Sequence, residues 1–164
     1  MIVTIKKNTI FIDEFKLKCA IGKCGIKKKT REGDKITPLG VFEIGNLYYR
    51  SDRIKKFETN LKSIVIKKNM GWCDDPLSTQ YNRLINNISK FEFKCEKLFR
   101  NDNKYDFILP IKYNYKNTIK NKGSAIFFHL TKNYKPTAGC IAMEKKDFLI
   151  FLKLIKKGTK VRII

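Results

Sequence analysis

Apolar and polar positions alternate with a period of two through most of the first half of the chain. The runs IVTIKK (2–7), TIFIDEF (9–15), KLKCAIGK (16–23), GVFEIGNLYYR (40–50) and SIVIKK (63–68) show this alternation or an enrichment in β-branched and aromatic residues, and Gly, Asn and Asp separate them. That pattern predicts half-buried strands. The period changes after WCDDP, where Tyr81, Leu84, Ile85 and Ile88 recur at helical spacing. A helix is expected from Ser78 to Phe91. Three further strands are expected at 105–115, 123–130 and 140–143. Between Glu144 and Lys157 an apolar stripe of Phe148, Leu149, Phe151, Leu152 and Ile155 ends in lysines and is closed by Gly158. These features predict a helix with a cation-rich C-terminus and a glycine stop. The tail TKVRII reads as a last strand. The expected fold is mainly β, strand-rich with two or three helices laid on it, in a single domain spanning 1–164.

Composition fits a folded domain: 43% of the 164 residues are hydrophobic and 12% aromatic, too many for a disordered tail. The formal charge of +21, from 36 basic and 15 acidic residues, favours polyanions such as nucleic acid, anionic membrane or an acidic wall polymer. Nearly all of these cations are lysines, however, whereas nucleic-acid readers lean on arginine for bidentate contacts. Nucleic acid is therefore not the expected partner. The N-terminal stretch mixes charged and apolar residues and does not read as a signal peptide or membrane span. Five cysteines form an odd set without CxxC pairs, so no zinc site is expected and all five are expected reduced. Cys19, Cys24, Cys73 and Cys95 have no nearby histidine and read as packing residues.

The only histidine, His129, stands at the exit of the expected strand GSAIFFHL, where it shares a face with Ala125 and Phe127. After the loop TKNYKPTAG, Cys140 opens the next strand. Antiparallel pairing of the two strands would bring the imidazole and thiol together. An unperturbed thiol is only a few per cent ionised at neutral pH, and an adjacent imidazole is the usual way to activate it. Gly139 lets the backbone approach a ligand and aim amides at an oxyanion. A cysteine among Ile and Met also suits a core, and a lone strand histidine also suits a structural role.

TAGCIAM, preceded by a histidine at a strand end, resembles the active-site signature of the L,D-transpeptidase (YkuD-type) catalytic domain family. GKCGIKKKTREGDKITPLGVFEIGNLYYR (22–50) is similar to the Gly-Lys and Thr-Pro-x-Gly-x-Phe region of these domains. GWCDDP with YN, YDFILPIKYN and GSAIFFHL resemble further blocks of one branch, in the same order. The resemblance implies a β-sandwich-like domain of mixed sheets in which Cys140 attacks a carbonyl of a peptidoglycan stem peptide. His129 would move the proton, and the backbone amides of Gly139 and Cys140 would hold the oxyanion. A thioester would then pass to an amine. Water as acceptor would give an L,D-carboxypeptidase or amidase instead, and a non-catalytic basic module binding an anionic polymer is the alternative from another class. The family implies no metal or cofactor, a periplasmic or envelope location, and a monomer is expected.

Two positions depart from the family pattern. Ala138 stands where many members carry a second histidine, and Ala142 where they carry an arginine. Arg31, Arg50 or nearby lysines are the candidates to hold a substrate carboxylate in its place. Asp74 and Asp75 are candidates to orient the histidine or bind a substrate amine, or else to cap a turn. Tyr113 and Asn114 are candidates to line the cleft, Thr137 to bond within the site or shape its turn, and Trp72 to serve as a substrate platform or a rim hydrophobe.

Overall fold

A computed structural model describes all 164 residues. Along the chain, β1 (Ile2–Lys6), β2 (Thr9–Ile12), β3 (Phe15–Lys18), β4 (Ile26–Lys27), β5 (Thr37–Pro38), β6 (Gly40–Glu43) and β7 (Leu47–Tyr49) come first. They are followed by β8 (Ser63–Val65), β9 (Gly71–Cys73), β10 (Leu84–Ile85), β11 (Cys95–Lys97), β12 (Phe107–Pro110), β13 (Phe127–Leu130) and β14 (Ile141–Met143). The chain closes with α1 (Lys145–Leu154) and β15 (Lys160–Ile163). No helix is long and apolar enough to cross a membrane.

Two mixed five-stranded sheets carry the fold, ordered β3-β2-β1-β15-β6 and β14-β13-β12-β7-β8. In the first, alternation puts Val3, Ile5, Ile10, Ile12, Val161 and Ile163 inward. These meet Phe107, Leu109, Phe128, Leu130, Ile141 and Met143 from the second sheet in one core, to which α1 adds Phe148, Phe151 and Leu152. The second sheet is covered on its other face too. There Ile108 and Phe127 join Trp72, Met70, Leu98, Tyr105 and Ala125 in a smaller cluster, with Cys140 packed against it. Burial on both faces explains why FILP, FFHL and IAM are wholly buried and nearly wholly apolar. Burying a side chain of this size contributes roughly 1.5–3 kcal/mol.

The expected helix over 78–91 does not form. Asn82 adopts a positive φ of 59°, Leu84 and Ile85 pair antiparallel with Trp72 and Gly71, and only the 3₁₀ turn Ile88–Lys90 is helical. The cause is one buried amide. Asn82 Oδ1 accepts from Trp72 Nε1 (2.9 Å) and the Ala125 amide (3.2 Å), while Nδ2 donates to the carbonyls of Tyr113 (3.0 Å) and Asn114 (2.7 Å). Four tertiary hydrogen bonds outweigh a weak helical preference. The structure therefore has one α-helix rather than two or three. That helix begins at Lys145 and stops before Ile155, close to the expected span.

Candidate active site

The strand carrying His129 and the strand after Cys140 pair in parallel, not antiparallel. Their register sets Phe128 against Ile141, His129 against Ala142 and Leu130 against Met143. The nine-residue loop between them crosses back over the sheet to restart in the same direction. Period-two alternation then places Phe127 and His129 on the face shared by Cys140 and Ala142. The imidazole and the thiol are diagonal neighbours, and both line one groove of about 630 Å³.

Three distant segments build the turn that presents Cys140. Thr137 Oγ1 accepts from the Gly139 amide (3.1 Å) and donates to the Cys140 carbonyl (2.6 Å), so its hydroxyl shapes the turn. The Gly139 carbonyl accepts from the fully buried Thr37 Oγ1 (2.9 Å), which also receives the Gly22 amide (2.8 Å). Gly139 has φ 135°, and a Cβ there would lie 2.8 Å from the Ile36 carbonyl oxygen. A Cβ on Gly22 would lie 2.4 Å from the Lys35 carbonyl oxygen and 3.1 Å from Gly139 Cα. Both glycines are required by close backbone approach.

The Cys140 Sγ donates to the Ala125 carbonyl (3.3 Å) and receives the Phe127 amide (3.4 Å); no hydrogen bond joins it to His129. Burial, helped by the nearby Glu96 carboxylate, pushes the thiol up to about 12. His129 is 8% exposed, and its Nδ1 lies 2.9 Å from the Leu130 carbonyl. A carbonyl only accepts, so Nδ1 carries the proton and Nε2 keeps its lone pair. Burial, with Lys104 and Arg100 adding positive charge nearby, lowers the imidazole to about 4. Thiol and imidazole are both neutral at pH 7. The Gly139 amide is taken by Thr137, whereas the Cys140 amide makes no hydrogen bond within the chain. Of the two expected oxyanion donors only Cys140 is free.

The remaining candidates divide. Asp74 lines the groove; its Oδ1 is buried without a partner, Lys94 stands 3.7 Å from Oδ2, and burial raises its pKa. Asp75 instead caps a turn, accepting from the amides of Leu77 (2.9 Å) and Lys94 (3.4 Å). Trp72 is no platform: it is buried, stacked edge-on against Phe127 at 5.2 Å. Tyr113 packs on Phe42 and donates to the Lys122 carbonyl, and Asn114 organises the loop to Gly123, so neither reaches the groove. Arg31 is exposed and outside it. Arg50 is buried against Phe99 and paired with Asp52, hence structural. Lys29, Lys94, Arg100, Lys104 and Lys135 are the cations that line the groove. Cys24 is exposed rather than packed.

Sequence reasoning missed the other carboxylates of the groove. Glu32 accepts from Tyr81 and from Ser124 (2.8 Å), and Glu96 accepts from Tyr105. Burial and the neighbouring Asp74 raise Glu96, with the Tyr105 hydroxyl opposing them. Glu32, Asp74 and Glu96 come from segments far apart in the chain, and no local pattern joins them. No group of three His, Cys, Asp or Glu side chains is arranged to hold a metal.

Comparison with curated proteins finds no match. The model of the L,D-transpeptidase catalytic domain (YkuD) matches residues 2–163, which takes in the groove, the turn that presents Cys140 and both five-stranded sheets. The chain belongs to the L,D-transpeptidase catalytic domain family.

Proposed function

We propose that residues 1–164 form one sandwich-like catalytic unit, a monomeric cysteine acyl transferase that modifies peptidoglycan stem peptides through a thioester on Cys140. The observation that carries this reading is the fixed tautomer of His129. With Nδ1 committed to the Leu130 carbonyl, Nε2 is the basic atom of the imidazole, in a groove that the Cys140 thiol also lines. The free Cys140 amide supplies a donor for the developing oxyanion.

Because both groups start neutral, proton transfer accompanies attack. His129 Nε2 takes the Sγ proton as sulfur bonds to the substrate carbonyl carbon. Collapse of the tetrahedral intermediate breaks the C–N bond, and the imidazolium returns its proton to the departing D-amino acid. An acceptor amine then attacks the thioester and loses a proton to Nε2, and the thiol leaves protonated. A zwitterionic peptide suits the lining. Asp74, Glu32 and Glu96 face an ammonium, and Arg100, Lys104 and Lys135 stand in for the arginine that Ala142 replaces. A lining of mixed sign, three carboxylates among five cations, suits a zwitterionic peptide better than a polyanion, which weighs against the non-catalytic basic module.

Incubation with a disaccharide tetrapeptide tests the reading. Release of the terminal D-amino acid is expected, with a cross-linked product when an acceptor amine is present and a trimmed tripeptide if water is the acceptor. His129→Gln is expected to lower the release rate by roughly 10²–10⁴-fold. No release by the folded wild type would overturn the proposal.

A further inference from the structure

We infer that Cys73 and Cys95 are a disulfide-forming pair, a covalent modification site that staples β9 to β11 beside the groove. The two residues lie directly opposite each other in the antiparallel ladder, in the register that also sets Glu96 against Trp72 and Lys97 against Gly71. The hydrogen bonds identify the kind of pair. The Cys73 amide donates to the Arg83 carbonyl and the Cys73 carbonyl accepts from the Asn82 amide, so both backbone groups point toward β10, away from β11. One ladder step away in the same parity as Trp72–Glu96, the Leu98 amide donates to the Met70 carbonyl. Cys73–Cys95 is therefore a non-hydrogen-bonded pair, the closer of the two antiparallel kinds, with Cα atoms typically about 4.5 Å apart. That spacing falls within the range a disulfide spans.

The surroundings agree. Both thiols are free, Cys73 fully buried and Cys95 half-buried at the edge strand. Burial first, and then the neighbouring Cys73 and Asp74, push Cys95 up to about 11. Such a thiol is a slow nucleophile, which fits a structural cross-link better than a rapid sensor. Alternation puts Trp72, Asp74 and Glu96 on the opposite face of this ribbon, and the latter two line the groove. A bond on the far side fixes both carboxylates without occupying the substrate's space.

The co-reactant is a low-molecular-weight disulfide. The Cys95 thiolate, the more accessible of the two, attacks it to form a mixed disulfide and expel one thiol. Cys73, losing its proton, then attacks the Cys95 sulfur and expels the second. Two protein thiols are oxidised to one disulfide while one disulfide is reduced to two thiols.

Oxidised glutathione and the full chain test this under native conditions. The expected result, by peptide mapping without reduction, is a cross-linked peptide joining Cys73 to Cys95 and a protein that has lost two hydrogens there, while exposed Cys24 keeps glutathione as a mixed disulfide. Cys95→Ser is expected to give the Cys24 adduct and no cross-link. The inference is overturned if glutathione stays on Cys95, if Cys24 reacts while Cys73 and Cys95 stay reduced, or if the cross-link joins another pair. It does not depend on catalysis by Cys140.

Discussion

Cys140 and His129 are held as a neutral pair because both sit where water is scarce. A thiolate–imidazolium pair would need two charges at the foot of a groove whose nearest ionisable neighbours include Glu96 and Arg100. Desolvation opposes both charges, raising one group and lowering the other. The histidine shift links to stability. Its native value of about 4 lies below the ordinary 6.5, so between these pH values the unfolded chain binds a proton that the native imidazole refuses. Stability is therefore fully present above pH 6.5 and lost as pH falls toward 4. A shift of this size corresponds to roughly 3 kcal/mol. In urea titrations, the stability difference between wild type and His129→Gln should move by about that amount over this range. A pH-independent difference would show that His129 is not buried neutral.

At the scale of elements, three segments distant in sequence meet beneath Cys140. Gly22, Thr37 and Gly139 are joined through a single hydroxyl, which explains why a Gly-Lys block and a Thr-Pro block accompany the cysteine turn. Thr37→Val keeps the shape and removes that hydroxyl, leaving a buried amide and a buried carbonyl unpaired. A loss of about 2 kcal/mol is expected in urea denaturation, together with slower acylation of Cys140. An unchanged midpoint would mean that the turn does not depend on this bond. Most strands were legible because period-two alternation is local: IVTIKK and TKVRII fold as β1 and β15 and pair with each other. The periodicity of 78–91 misleads because Asn82 gathers four partners from distant segments, to which periodicity is blind. Strand direction is not legible for a similar reason. The loop TKNYKPTAG has the residues of a turn but the length and course of a crossover, and only the register of β13 against β14 reveals which. His129 and Cys140 were legible from the motif, whereas the carboxylates opposite them belong to three separate segments.

Across the whole molecule, positive charge outweighs negative by +21, and most of it is spread over exposed lysines. Lys153 with Glu58 and Lys112 with Glu43 pair on the surface, whereas Lys29 and Asp34 pair in the interior. Surface pairs of this kind contribute little, so self-repulsion dominates the long-range electrostatics. Salt should therefore stabilise the fold. Raising sodium chloride from about 10 mM to about 500 mM shortens the screening length from roughly 30 Å to a few ångströms. Calorimetry should show a rise in Tm of several degrees, and a fall would mean that attractive pairs dominate instead. In the groove the field is mixed, with Glu32, Asp74 and Glu96 standing among five cations on the same walls.

The most direct test of the central claim is intact-mass spectrometry of the folded protein after exposure to an acylating electrophile such as a carbapenem. The account predicts one adduct, mapped to Cys140, absent from Cys140→Ser and formed much more slowly by His129→Gln. An unmodified wild type, or an adduct on exposed Cys24 with Cys140 untouched, would contradict it.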